Sequence, residues 1–189
     1  MTQQGKNAID LVLAESLIEL SAKKPIDKIT IKEITDKAGV IRPTFYNHFQ
    51  DKYELIEWII KTELLEPIKP LLNAGMIFEA IVLMLNNISS NSVFYKKALK
   101  LEGAVTFNRI AMKCVYEMFM NIISEKSTGK KSKYRWLTPE VISTYYAQSL
   151  CFITEGWIAQ GMDDIEPKEM AEAYMYLITR SMDDILSEL

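Results

Sequence analysis

Thr30-Ile31-Lys32-Glu33-Ile34-Thr35-Asp36-Lys37-Ala38-Gly39-Val40-Ile41-Arg42-Pro43-Thr44-Phe45-Tyr46-Asn47-His48-Phe49 carries two short helices and the turn between them. Thr30 and Glu33 stand three apart in the pattern of a capping box: the threonine hydroxyl accepts from the Glu33 amide, and the glutamate reaches back to the Thr30 amide. Ile31, Ile34 and Ala38 form the apolar face of this helix, and Gly39 stops it because glycine takes the left-handed conformation at little cost. Pro43 then occupies an early helical position, where its missing N–H has no partner to lose. Phe45 and Phe49, one turn apart, point inward and leave Arg42, Thr44, Tyr46, Asn47 and His48 on the outer side. Upstream, Ile9, Leu13, Leu17 and Leu20 recur at helical spacing across Asn7 to Ala22. That helix ends near Lys23, Lys24 and Pro25. A longer helix packed across two short ones joined by a tight glycine turn is a helix-turn-helix.

The pattern stays helical beyond Asp51, with no strand-like alternation. It predicts helices over Lys52 to about Leu65, closed by Pro67 and Pro70, then about Met76 to Ile88, Ser92 to Leu101 and Ala104 to Glu125. Lys126 to Arg135, with Gly129, hydroxyl residues and five cations, reads as a solvated loop. Thr138-Pro139-Glu140 opens a helix to about Gln160, and Pro167 opens a last one to the C-terminus. The expected fold is all-α, with a head over residues 1–50 and a larger helical body over residues 51–189.

Composition narrows the chemistry. The 189 residues are 49% hydrophobic and 25% charged, enough to bury a core without disulfides. Cys114 and Cys151, far apart in apolar helical patterns, suit a reducing compartment. The single histidine, His48, excludes a multi-histidine metal site, and no nucleophile, phosphate-loop or metal motif stands out, so an enzyme, a metal and a cofactor are not expected. Met1 to Lys6 lacks the layout of a signal peptide and no later run approaches a membrane span, so a cytoplasmic protein with no membrane partner is expected.

The net charge of −3 is unevenly spread. Residues 20–52 hold seven cations and four acids, which leaves −6 for the rest of the chain. The head is thus the positive end of an acidic molecule, oriented towards phosphates. A helix fits the DNA major groove, where Arg42 can pair with guanine through its fork, Thr44 can meet a thymine methyl or a phosphate, and Asn47 can read adenine. Tyr46, His48 and Lys52 are read as phosphate anchors that position the head.

The run from Lys28 to Ile34, then Ala38-Gly39-Val40, then Arg42 through Leu55 resembles the N-terminal DNA-binding domain of TetR/AcrR-type transcriptional regulators. The likeness is dense over residues 9–60. It implies an all-α homodimer whose C-terminal body holds an effector pocket and whose last two helices pair across the dimer axis. By position it places Arg42, Pro43, Thr44 and Asn47 on the recognition helix, Lys32 on the helix before it, and Tyr46, His48 and Lys52 on backbone contacts. One departure is Ile41, where that family commonly has a serine or similar cap; an aliphatic side chain cannot accept the orphan amides. The length and helix spacing of the body are similar to the branch of dihydroxyacetone kinase operon activators, which work with a protein co-regulator.

For the body, Met112, Tyr116 and Phe119, with Phe152, are expected to line an adaptable apolar pocket, and Asn108, Arg109, Gln148 and Glu155 to orient a ligand in it. Core packing alone would leave the same Met and aromatic stripes. Tyr145, Ser149, Phe152 and Gly156, with Tyr174, Leu177, Ile178, Ser181 and Ile185, offer small residues among large ones and are expected at the dimer interface that the resemblance implies; a monomeric bundle would show the same stripes. The leading expectation is a sequence-specific DNA-binding regulator whose operator affinity answers to a small molecule or protein co-regulator. The competing one is a helical protein-interaction module with little or no DNA contact.

Overall fold

The computed structural model describes residues 3–126 and 132–188, with side chains from Ala8 onward, and contains no strand among them. Residues 127–131 of the tract expected as a solvated loop lie outside the described residues. The head comprises α1 (Gln3–Lys23), a single turn at Ile26–Lys28, α2 (Ile31–Ala38) and α3 (Arg42–Tyr46). The body begins with α4 (Lys52–Ile59), which runs through a wide π turn at Ile60–Leu65 into α5 (Glu66–Asn73). It continues with α6 (Ile77–Ser90), α7 (Ser92–Ala98), α8 (Phe107–Lys126), α9 (Pro139–Ala159), α10 (Pro167–Thr179) and α11 (Met182–Glu188).

The local rules of the head hold atom by atom. Thr30 Oγ1 accepts from the Glu33 amide, and a Glu33 carboxylate oxygen accepts from the Thr30 amide at 2.9 Å, completing the capping box. Gly39 ends α2 at φ +68°, and the Val40 amide donates back to the Thr35 carbonyl at 3.0 Å. Ile41 precedes α3 without a side-chain cap, as its chemistry requires. Asp51 starts α4 firmly, one carboxylate oxygen accepting from the Tyr53 and Glu54 amides at 2.8 and 2.9 Å. Leu13, Leu17, Ile26, Ile34 and Phe45, each at most 1% exposed, fill the space between α1, α2, α3 and α4.

Helix boundaries differ from expectation by three residues at the end of α7 and the start of α8, and by more at two other places. Pro67 was expected to close the helix from Lys52; the helical path instead continues through the π turn to Asn73. Pro67 cannot donate to the Glu63 carbonyl one turn back, and Asn87 Nδ2 from α6 supplies that donor at 2.9 Å. The last helix, expected unbroken from Pro167, breaks at Arg180, which is extended. Ser181 and Asp184 cap α11 there: Ser181 Oγ accepts from the Asp184 amide and the Asp184 carboxylate from the Ser181 amide, both at 3.2 Å.

In the body, α8 and α9 make the most extensive helix pair, α6 packs against α5 and α10, and α1 of the head also rests on α7. Cys114 and Cys151 are buried and unpaired, and burial pushes each thiol up to about 12, so neither is a thiolate at neutral pH. Among the described residues no single helix is long and apolar enough to cross a bilayer, and α6 and α7 are bent 87° from each other at their junction.

Candidate nucleic-acid interface

α3 presents a polar side and an apolar side over very few residues. Phe45 is fully buried and Phe49 is 4% exposed; their rings lie 5.9 Å apart, and Phe49 meets Trp58 of α4 edge-on at 6.3 Å. This aromatic anchor turns the opposite side outward, where Arg42, Pro43, Tyr46 and Asn47 are exposed and Thr44 is half-buried. The backbone continues the helical course past Tyr46, since the Phe49 amide donates to the Phe45 carbonyl at 2.8 Å. Arg42 donates to the Tyr46 hydroxyl at 3.4 Å, one turn along, which aligns the guanidinium with the outer face and leaves the rest of its fork free. Lys32 on α2 is exposed beside this face.

Several head cations are neutralised within the head. Lys24 pairs with Glu33 at 2.5 Å, Lys28 with Asp27 at 3.3 Å, and Lys37 with Glu19. Among the described residues Lys23, Lys32, Arg42 and Lys52 form no ion pair, and of these Lys32 and Arg42 stand exposed on α2 and α3.

Two residues expected as phosphate anchors are placed differently. The His48 imidazole is 2% exposed, and its Nδ1 lies 2.6 Å from a carboxylate oxygen of Asp10 on α1. The Phe45–Phe49 anchor fixes this orientation: with Phe49 inward, His48 falls against α1 and not over the outer face. Lys52 Nζ donates to the carbonyls of Ile26, Asp27 and Ile29 at 2.9, 2.7 and 3.1 Å. Its three protons are thus occupied in closing the turn between α1 and α2 onto the start of α4. Sequence reasoning missed Ile41, which is 69% exposed next to Arg42; a large apolar side chain at an uncapped helix start was the available signal.

The residues expected to form a ligand pocket do not converge. Asn108 and Glu155 bond each other at 2.7 Å, and Arg109 donates to the Ala104 carbonyl at 3.3 Å; Asn108 and Arg109 are exposed and Glu155 is half-buried. Gln148 is exposed and Phe152 is 77% exposed, while Met112 and Tyr116 are half-buried against the core. Only Phe119 of that set lines the cavity of about 360 Å³ between α5, α6, α8, α9 and α10, together with Met84, Met118, Tyr146, Leu150 and Tyr174, while Phe152 and Glu155 border a larger open groove of about 820 Å³. The register of α8 explains the miss: its inward stripe runs through Phe107, Ile110, Cys114, Val115 and Met118, and Asn108 and Arg109 fall on the outward side of the first turn.

Of the expected interface residues, Tyr145, Phe152, Leu177 and Ser181 are exposed, and Ser149, Gly156 and Ile185 are partly covered. Tyr174 is corrected: it is 3% exposed and faces the cavity inside the subunit, as does Ile178. Met182 and Leu186 of α11, 76% and 61% exposed, are further apolar side chains open to solvent and were not foreseen.

This geometry, a small head with an outward polar helix on an all-helical body with a cavity, defines a class of helix-turn-helix regulators. The profile described as bacterial regulatory proteins, tetR family, matches residues 15–59, and that described as a transcriptional regulator C-terminal region, named TetR_C_8, matches residues 76–180. The chain belongs to the tetR family: it is a DNA-binding transcriptional regulator with ligand or effector modulation. It is 26% identical over 152 residues, 79% of each chain, to the HTH-type dhaKLM operon transcriptional activator DhaS of Lactococcus lactis subsp. lactis. Among solved structures, the dihydroxyacetone kinase operon activator DhaS superposes with a TM-score of 0.63 at 21% identity, covering 90% of this chain and 93% of that one. NalD, described as the secondary repressor of the MexAB-OprM multidrug efflux pump in Pseudomonas aeruginosa, superposes at 0.59 and 14% identity, covering 92% and 96%. These two likenesses concern the fold.

Proposed function

We propose that this chain acts as a homodimer on a two-fold operator, each subunit laying the outer side of α3 into the major groove. Arg42, Thr44 and Asn47 read base edges, Ile41 meets a thymine methyl, and Pro43, Tyr46 and Lys32 set the approach to the backbone. His48 and Lys52 act indirectly, by holding the head in shape and fixing it to α4. The division into a head of residues 1–50 and an effector-binding, dimerising body of residues 51–189 belongs to this reading. The observation that carries it is the sidedness of α3, with Phe45 fully buried while Arg42 and Tyr46 stand exposed on the opposite side.

Dimerisation is supported by the exposed apolar face of Tyr145, Phe152, Leu177, Met182 and Leu186, which a second copy would cover. Arrangement of the two heads then depends on the body, and an effector that prefers one arrangement changes operator affinity. The relative described as an operon activator favours activation of an adjoining operon. The test is footprinting on DNA flanking the protein's own gene, followed by insertion of half a helical turn between the two protected half-sites. Loss of binding on insertion, and a steep fall in affinity with salt, are expected. Binding indifferent to both, or no binding, would favour a protein-interaction module instead.

A further inference from the structure

The cavity of about 360 Å³ has a lining that is nearly all hydrocarbon and thioether. No carboxylate lines it, and its one ammonium, Lys126 on the exposed last turn of α8, already donates to the Leu72 carbonyl at 2.8 Å. A cation entering would lose its hydration with no carboxylate to receive it, and an anion would meet only the Lys126 ammonium at the solvent-exposed end of α8. Two phenols, Tyr146 and Tyr174, break the hydrocarbon wall, and the second is the one without a partner. Tyr174 is 3% exposed, it lines the cavity, and its hydroxyl has no hydrogen-bond partner. Burial raises the pKa of this phenol, so it stays protonated and able to donate; the Ser149 hydroxyl is near enough to offset part of that rise but falls outside hydrogen-bond geometry. A buried hydroxyl without a partner is costly, and a ligand that supplies an acceptor there removes the cost.

A second cavity, of about 40 Å³ between the π turn and α6 to α9, also has unpartnered hydroxyls, from Tyr95 and Thr154. That volume suits a water molecule. The larger one is of ligand size. It touches α5 through Ile68 and Leu72, and α5 leads through the π turn into α4, whose first residue Lys52 grips the head.

We infer that this cavity takes an uncharged, mainly hydrocarbon ligand, of aromatic or branched aliphatic type, carrying one hydrogen-bond acceptor that the Tyr174 hydroxyl engages. The inference rests on the reading of the chain as an effector-responsive regulator and names the class of that effector.

Three near-isosteric probes test it on the full-length protein: 2-ethylnaphthalene, 2-acetylnaphthalene and 2-naphthoate, titrated at neutral pH by calorimetry or by quenching of intrinsic fluorescence. The ketone is expected to bind at least about tenfold more tightly than the carboxylate, whose only counter-charge is the solvent-exposed Lys126 at the end of α8. Tyr174→Phe is expected to weaken the ketone about three- to tenfold while leaving the hydrocarbon within about twofold. Met118→Trp, which fills the cavity, is expected to remove binding of both neutral probes. Carboxylate binding as tight as the ketone, or a Tyr174→Phe effect equal for ketone and hydrocarbon, would overturn the inference. So would undiminished binding by a Met118→Trp protein shown by circular dichroism to be folded; should that variant fail to fold, Tyr174→Phe decides alone. Operator affinity measured with and without saturating ketone reads the regulator reading separately. A change supports an effector role, and no change with the expected binding pattern leaves the ligand class standing while removing its regulatory role.

Discussion

Head and body are both built from helices packed through apolar faces, yet they treat polar groups differently. In the head, buried polar side chains find partners: His48 meets Asp10, and Lys52 closes on three backbone carbonyls. In the body, Tyr95, Ser143, Thr154 and Tyr174 each keep a buried hydroxyl without a partner, and the two cavities described lie beside three of these. Among the described residues no such orphan occurs in the head. The head is built to hold one shape against a rigid duplex. The body keeps unfilled space and unanswered hydroxyls, the condition under which a ligand can choose among packings.

The sharpest break in this contrast would come from the head core. Phe45→Ala removes a fully buried ring at the junction of α1, α2 and α3, and should cost about 3 to 5 kcal/mol in urea unfolding, with loss of all DNA binding. His48→Ala leaves Asp10, 8% exposed, without its partner; a loss of about 3 kcal/mol is expected, with little change in which sequence is preferred by the protein that remains folded. Lys52→Ala strips the donor from three carbonyls and should cost about 1 to 2 kcal/mol, while the slope of affinity against salt stays unchanged. A fall in that slope by about one unit would return Lys52 to the phosphate contacts.

The smallest effect probes the joint between the regions. Glu63, on the π turn, accepts from Asn91 Nδ2 at 3.2 Å and is held above its ordinary carboxylate range, first by burial and then by Glu15 of α1. A carboxyl whose folded pKa is raised favours the fold below its unfolded value, and that favour is lost as pH rises through the folded value. Glu63→Gln should therefore be more stable than the parent at pH 7 by thermal melting. Its advantage should disappear as pH falls below about 4.5, the ordinary value.

How much could be read in advance follows the reach of the forces involved. The capping box of Thr30 and Glu33, the left-handed stop at Gly39 and the inward pair Phe45 and Phe49 obey rules that act within a few residues, so the head was legible. His48 was not, because its partner Asp10 is 38 positions away and only packing brings them together. Pro67 looked like a terminator because nothing local shows that Asn87, 24 residues beyond Glu63, will serve the carbonyl it leaves open. Tyr174 and Leu177 share an apolar stripe at helical spacing, yet one is 3% exposed inside the subunit and the other 48% exposed outside. A broad stripe can face its own core and a neighbour at once, and periodicity alone does not divide it.

The central claim is that the outer side of α3 reads DNA sequence through Arg42, and a paired titration tests it most directly. Parent and Arg42→Ala proteins are titrated against the footprinted operator and a scrambled duplex of equal length at one fixed salt concentration. The account predicts that Arg42→Ala costs about 1 to 3 kcal/mol on the operator and much less on the scramble, so that preference between the two narrows. Equal losses on both duplexes, or no loss on either, would contradict it.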